Sequence, residues 1–223
     1  MKLVLASGSQ RRRELLTMCG YDYEIIVSNA DETIDENDPE SFVRALSFRK
    51  AKDVFDRLFA AGRRGFAVIG SDTVVAFQKD GGTKPVIIGK PKDAKDAVRI
   101  LSMLSGKTHR VFTGVSVIAD IPDENAAAQC SIREKAEIQT ECSITEVTFE
   151  TLSPDEIADY VNSGDPLDKA GSYGIQGPFG MFVREIRGNY FTVIGMPIPV
   201  LYKMLKKIGI LPHGFYERIE KSK

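Results

Sequence analysis

The chain opens on a short apolar block, residues 2–6, whose Leu3, Val4 and Leu5 predict a buried strand. Ser7-Gly8-Ser9-Gln10 interrupts it, and the spacing over residues 12–19 predicts a short helix closed by Gly20, where a left-handed residue is wanted. Residues 23–27 predict a second strand, followed by an acidic loop over 31–36. Asp38-Pro39-Glu40 then supplies a cap residue and a proline at the first helical position. From there Phe42, Val43, Leu46, Ala51, Val54, Phe55, Leu58 and Phe59 recur at three- and four-residue steps, predicting a long helix that ends near Gly62.

The nearly continuous apolar run 66–77 has the pattern of a strand buried on both faces. Asp80-Gly81-Gly82 predicts a turn into a partner strand at 86–89. A helix is expected from Asp93 to Gly106, with Ala97, Val98, Leu101 and Leu104 as its stripe. Two long β segments follow, 110–119 and 136–150, separated by a polar, alanine-rich surface excursion over 120–135. Ser153-Pro154-Asp155-Glu156 reads as a capping box opening a helix over 154–163. Strands are expected at 182–186 and 190–194, joined at Gly188-Asn189, then a last helix over 199–208 with lysines near its carbonyl end. The order βαβαββαββαββα implies an α/β fold, a mixed sheet flanked by helices, in a single domain over 1–211 with a loose tail at 212–223.

Composition narrows the function classes. With 30 Lys+Arg against 31 Asp+Glu there is no protein-wide basic field, so no nucleic acid or anionic membrane partner is expected, and any anion site must be local. The first residues are too short an apolar run for a signal-peptide core, and no stretch reaches the ~20 apolar residues of a spanning helix. Cys19, Cys130 and Cys142 show no C-x-x-C spacing, which argues against a disulfide framework or a zinc site and favours the cytoplasm.

Asp72 is the most informative single residue, because a carboxylate inside an apolar strand is costly to desolvate unless something compensates it. It is either functional or a structural carboxylate bound to backbone amides at a bend through Ser71-Asp72-Thr73. Ser7-Gly8-Ser9 with Arg11-Arg12-Arg13 joins a small-residue loop at a helix start to guanidinium forks suited to phosphate oxygens, although a solvated basic turn paired with Glu14 or Glu32 reads equally well. Lys50 shares the apolar face of its helix and either snorkels at the edge or enters a cleft. Lys90 and Lys169 stand at element ends and taken singly are surface lysines; with Glu32 and Asp72 they suit a polyphosphate and a divalent metal. His109 and His213 have no nucleophile beside them and read as structural, while Gln176 among glycines could meet a base edge or ribose.

Five segments carry a resemblance in combination: Ala6-Ser7-Gly8-Ser9-Gln10-Arg11-Arg12, Gly70-Ser71-Asp72-Thr73-Val74-Val75, Gly89-Lys90-Pro91, Leu104-Ser105-Gly106-Lys107-Thr108-His109, and the stretch from Leu167 to Gly177. In this order they resemble the Maf (septum-formation-inhibitor-like) family over residues 2–210. The resemblance implies a nucleoside triphosphate pyrophosphatase in which water attacks the α-phosphorus with Mg²⁺ or Mn²⁺ as cofactor. It also implies two lobes around a deep cleft, as in the inosine-triphosphatase group, and a homodimer. By position it makes Ser7, Arg11 and Arg12 the phosphate loop, Asp72 and Glu32 the catalytic and metal carboxylates, and Lys50 and Lys90 the catalytic lysines. Thr73 and Gln176 resemble the branch that prefers dTTP and UTP over 7-methyl-GTP. Gln10 departs from the family's usual proline, and 78–85 and 120–135 look longer than usual. A nucleotide-binding regulator of division with little turnover is the alternative from another class, and a surface-interaction protein a further one.

Overall fold

The computed structural model describes residues 1–78, 84–121 and 136–213. Within them lies one mixed sheet of β1 (Lys2–Leu5), β2 (Tyr23–Ile25), β3 (Phe66–Phe77), β4 (Val86–Ile88), β5 (Thr108–Asp120), β6 (Ala136–Phe149) and β7 (Val183–Arg187). The strands run in the order β2-β1-β3-β5-β6-β7; β1 is parallel to β2 and β3, and the remaining pairs are antiparallel. The helices are α1 (Gln10–Met18), α2 (Pro39–Ala60), α3 (Ala94–Leu104), α4 (Pro154–Asn162), α5 (Tyr190–Ile194) and α6 (Ile198–Lys207). The expected mixed α/β class is what forms.

The position of the site follows from β3. Its edge away from β5 is shared by two short strands: β1 pairs with Phe66 to Ile69, and β4 pairs with Val75 to Phe77. Residues 70–74 therefore have a strand partner on the β5 side only, and a gap opens in the sheet beside them.

One face of the sheet carries α2, whose Asp38 cap accepts a hydrogen bond from Ser41 N at 2.8 Å. The helix lies unusually close because Gly70 and Gly114 face it. A Cβ on Gly70 would fall 2.1 Å from the Ser47 carbonyl oxygen, and one on Gly114 2.1 Å from that of Val43. Glycine inside a strand permits this backbone approach, and it sets Lys50 of α2 above Asp72. The opposite face carries two core clusters, one built on α1 and α6 around Leu5, Leu16 and Leu201, the other on α3 and α4 around Leu101, Phe149 and Phe179.

The structure corrects one predicted element. Residues 190–194 form the short helix α5, although Thr192, Val193 and Ile194 are β-branched. The Asn189 side chain accepts from Phe191 N at 2.9 Å, and Gly195 closes the segment at φ +112°, so end signals outweigh strand propensity here. The element order accordingly ends βαα. The turn at 80–82, most of the 120–135 excursion and residues 214–223 lie outside the described residues. Among the described residues no helix is long and apolar enough to cross a membrane.

Candidate functional site

A cavity of about 500 Å³ opens at the gap beside residues 70–74, between the two clusters of one face and the first part of α2, from which Phe42, Leu46 and Lys50 line it. All nine residues expected at a site line it: Ser7, Arg11, Arg12, Glu32, Lys50, Asp72, Thr73, Lys90 and Gln176. They come from six separate segments of the chain, and the volume suits a nucleotide-sized ligand.

Asp72 is 8% exposed and is compensated by a cation, not by a bend in its own backbone. The strand runs straight through it, in register with Gly114 of β5. Its Oδ1 accepts a hydrogen bond from Lys50 Nζ at 2.8 Å, and both side chains are 12% exposed. The same ammonium meets Glu32 Oε1 at 3.0 Å. Lys50 thus enters the cleft from the apolar face of α2 and draws two carboxylates, otherwise mutually repulsive, to one point.

Arg11 and Arg12, in the first turn of α1, differ. Arg12, expected as a free phosphate fork, has its guanidinium tied to the protein: Nε to Gly195 O at 2.8 Å, one terminal nitrogen to Ser7 Oγ at 3.1 Å, the other to Thr73 Oγ1 at 3.3 Å. Burial pulls its pKa below the ordinary arginine value, with Asp72 opposing. Arg12 is therefore a strut joining three segments, with only part of its surface turned to the cavity. Ser7 Oγ accepts from Ser9 N at 3.2 Å and from Arg12, which leaves its own hydroxyl hydrogen free to donate. Arg11 reaches across the cavity to a single carboxylate, Asp168 Oδ2, at 3.1 Å.

Lys90 is exposed and has no ion-pair partner among the described residues. Gln176 is likewise exposed at the rim. The hydroxyl of Thr73, a residue expected to bind substrate, is engaged with Arg12 and with Thr113 Oγ1 at 3.0 Å. Behind the wall, Tyr173 hydrogen-bonds through its hydroxyl to His109 Nε2 at 3.0 Å. Burial drives the His109 pKa down to about 3, which keeps the ring neutral.

Glu32 and Asp72 are the residues that could hold a divalent ion. Among the described residues no group of three or more His, Cys, Asp or Glu gathers as a closed cage. Lys50 Nζ takes Asp72 Oδ1 and Glu32 Oε1, so a divalent ion would use the second oxygen of each carboxylate; Mg²⁺ or Mn²⁺, hard cations that take one or two protein carboxylates and complete their shell with phosphate oxygens and water, suit such a donor set.

Sequence reasoning missed Asp168, whose spacing gives no hint that it faces Arg11, and Gly195, whose carbonyl anchors Arg12 and also accepts from Ser71 Oγ at 3.0 Å. Gly70 and Gly114, lone glycines inside apolar runs, did carry a signal of close backbone approach.

A family model described as "Maf-like protein" matches residues 2–208. A protein of Agathobacter rectalis named dTTP/UTP pyrophosphatase is 39% identical, the alignment covering 94% of this chain and 98% of that protein. Relatives of the same name from Bacillus thuringiensis subsp. konkukian and Bacillus pumilus are 42% and 43% identical, covering 94% and 95% of this chain and 96% and 98% of theirs. Among solved structures, the Staphylococcus aureus Ham1 protein matches at a TM-score of 0.44 and 12% identity, covering 93% of this chain and 99% of that one; at that level the likeness carries no argument. The family match spans every segment that lines the cavity, and the chain belongs to the Maf-like family.

Proposed function

We propose that this protein hydrolyses nucleoside triphosphates, with a preference for dTTP and UTP, to the monophosphate and pyrophosphate. The observation that carries the reading is the Lys50 ammonium held between Asp72 and Glu32 at the floor of a cavity whose walls bring Arg11, Lys90 and Lys169. Five cations and three carboxylates line that cavity, a net positive charge that suits a triphosphate carried with one divalent ion. The names of the curated relatives point to the same substrates.

In this reading a water molecule held against Asp72 attacks the α-phosphorus. The new bond is between the water oxygen and that phosphorus, the bond to the bridging oxygen of the β-phosphate breaks, and pyrophosphate leaves with the electron pair. The water's proton passes to a carboxylate, Asp72 in the first instance, because it lies deepest and is oriented by Lys50. A divalent ion held by Asp72 and Glu32 would supply neutralisation of charge on the phosphate oxygens. Lys50, Lys90, Arg11 and Ser7 would meet the remaining negative charge, and positioning with charge neutralisation is most of what phosphoryl chemistry requires. Gln176 at the rim offers one donor and one acceptor, matching a uracil or thymine edge. Thr73 contributes through Arg12, which it holds in place.

The test is a panel of nucleoside triphosphates, modified bases included, scored by pyrophosphate release with Mg²⁺ or Mn²⁺. UTP and dTTP should be turned over fastest. A panel led by GTP or 7-methyl-GTP refutes the base preference, and nucleotide binding with no pyrophosphate release refutes the enzyme.

A further inference from the structure

We propose that Asp168 is a built-in competitor for the substrate's phosphates: it occupies Arg11 and Lys169 in the empty cavity, gives them up to the triphosphate, and reclaims them as pyrophosphate leaves. The inference rests on the hydrolase reading above and adds to it a residue that sets affinity for substrate and product.

The geometry is specific to this carboxylate. Asp168 ends a turn of 3-10 helix at Asp165–Asp168 and lines the cavity together with the start of α1. Its Oδ2 accepts from the Arg11 guanidinium at 3.1 Å and its Oδ1 from Lys169 Nζ at 2.8 Å. Both cations line the cavity, so one carboxylate presents to them the two oxygens that a phosphate would present. Burial raises the Asp168 pKa, but the Lys169 hydrogen bond and the Arg11 charge outweigh it and leave the value below the usual aspartate range. The group is therefore ionised wherever a triphosphate is.

Exposure separates this pair from Lys50–Asp72. The Asp168 side chain is 67% exposed and that of Arg11 29%, against 12% on both sides of Lys50–Asp72. An exposed ion pair contributes little to stability, so Asp168 can turn into solvent at small cost. Arg11 has no other partner among the described residues, whereas Arg12 has three. Lys169 stays in place when Asp168 leaves, because it also bonds to Asp165 through the carbonyl at 2.6 Å and the carboxylate at 2.9 Å. What the exchange releases is thus a mobile guanidinium next to an already fixed ammonium.

Asp168→Asn keeps the side-chain volume and removes the charge. Its affinity for pyrophosphate, measured by calorimetry, and its inhibition constant for pyrophosphate against UTP hydrolysis should both tighten by about three- to tenfold. KM for UTP should fall in parallel, and kcat should hold or drop as product release slows. In an Arg11→Met background the same change should lose most of this effect. Damage to a merely structural tie would weaken binding instead, so a folded Asp168→Asn protein with unchanged or weaker pyrophosphate affinity overturns the proposal. If Asp168→Asn does not fold, Asp168→Ser carries the same expectation. A wild-type protein that hydrolyses no nucleotide and binds no pyrophosphate overturns the hydrolase reading together with this one, whereas wild-type hydrolysis with an indifferent Asp168 overturns this one alone.

Discussion

Replacing Asp72 with asparagine separates the catalytic role of this carboxylate from its structural one. The sequence alone suggests that removing a charge from an apolar strand changes stability little or even raises it. The structure reverses that expectation, because Asp72 is one of two acceptors for Lys50, at 2.8 Å. With both side chains 12% exposed, the pair lies between an exposed ion pair, worth about 0–1 kcal/mol, and a fully buried one, whose breaking costs about 3–5 kcal/mol. Glu32 remains on Lys50 at 3.0 Å, and an amide oxygen can still accept from the ammonium. The expected loss is about 1–2 kcal/mol, a fall in Tm of about 2–8 °C for a domain of this size. Activity should suffer far more. Loss of general-base assistance alone is about 10²–10⁴-fold in kcat, and loss of a metal carboxylate adds to it. Steady-state pyrophosphate release beside a thermal melt measures both. The control is Lys50→Met, which strands Asp72 without its cation and should cost more stability than Asp72→Asn. A folded Asp72→Asn protein that keeps more than a tenth of the wild-type kcat would refute the catalytic assignment.

Two further outcomes follow from the packing. Gly114→Ala should destabilise by about 3 kcal/mol or more in urea melts, since the new Cβ would sit 2.1 Å from the Val43 carbonyl oxygen, and α2 with Lys50 would have to lift off the sheet; a neutral result would mean that the close approach of α2 is not needed. His109 has a folded-state pKa of about 3, depressed from the ordinary 6.5, so its contribution is intact above pH 6.5 and is lost as pH falls towards 3, where the unfolded state takes up a proton that the folded state refuses. Between pH 6.5 and pH 5 this amounts to about 2 kcal/mol, read as a shift in denaturation midpoint; in His109→Gln that part of the pH dependence should vanish.

Local signals were sufficient wherever a segment's partners lie within its own span. The caps Asp38 and Ser153, the proline starts of α2 and α4, and the apolar length of β3 were legible because each acts on neighbours a few residues away. Residues 190–194 failed that reading because two opposing local signals were present, and the buried setting that favours the helix comes from β5: Thr113 Oγ1 donates to the Thr192 carbonyl at 2.7 Å. That Ser7, Asp72, Lys90 and Gln176 belong with one cavity was legible too, through the motifs that resemble the Maf pattern. What each member touches was not. Lys50 and Asp72 are 22 residues apart, Arg11 and Asp168 157, Arg12 and Gly195 183. No spacing encodes such contacts; they depend on how closely α2 settles on two glycines and on where β1 and β4 leave β3 unpaired. The sequence therefore determined most of the charges that this protein gathers around one cavity. Only the folded chain decided which of them are locked, as Arg12 is, and which are free to exchange, as Arg11 is, because that difference is one of burial and number of partners.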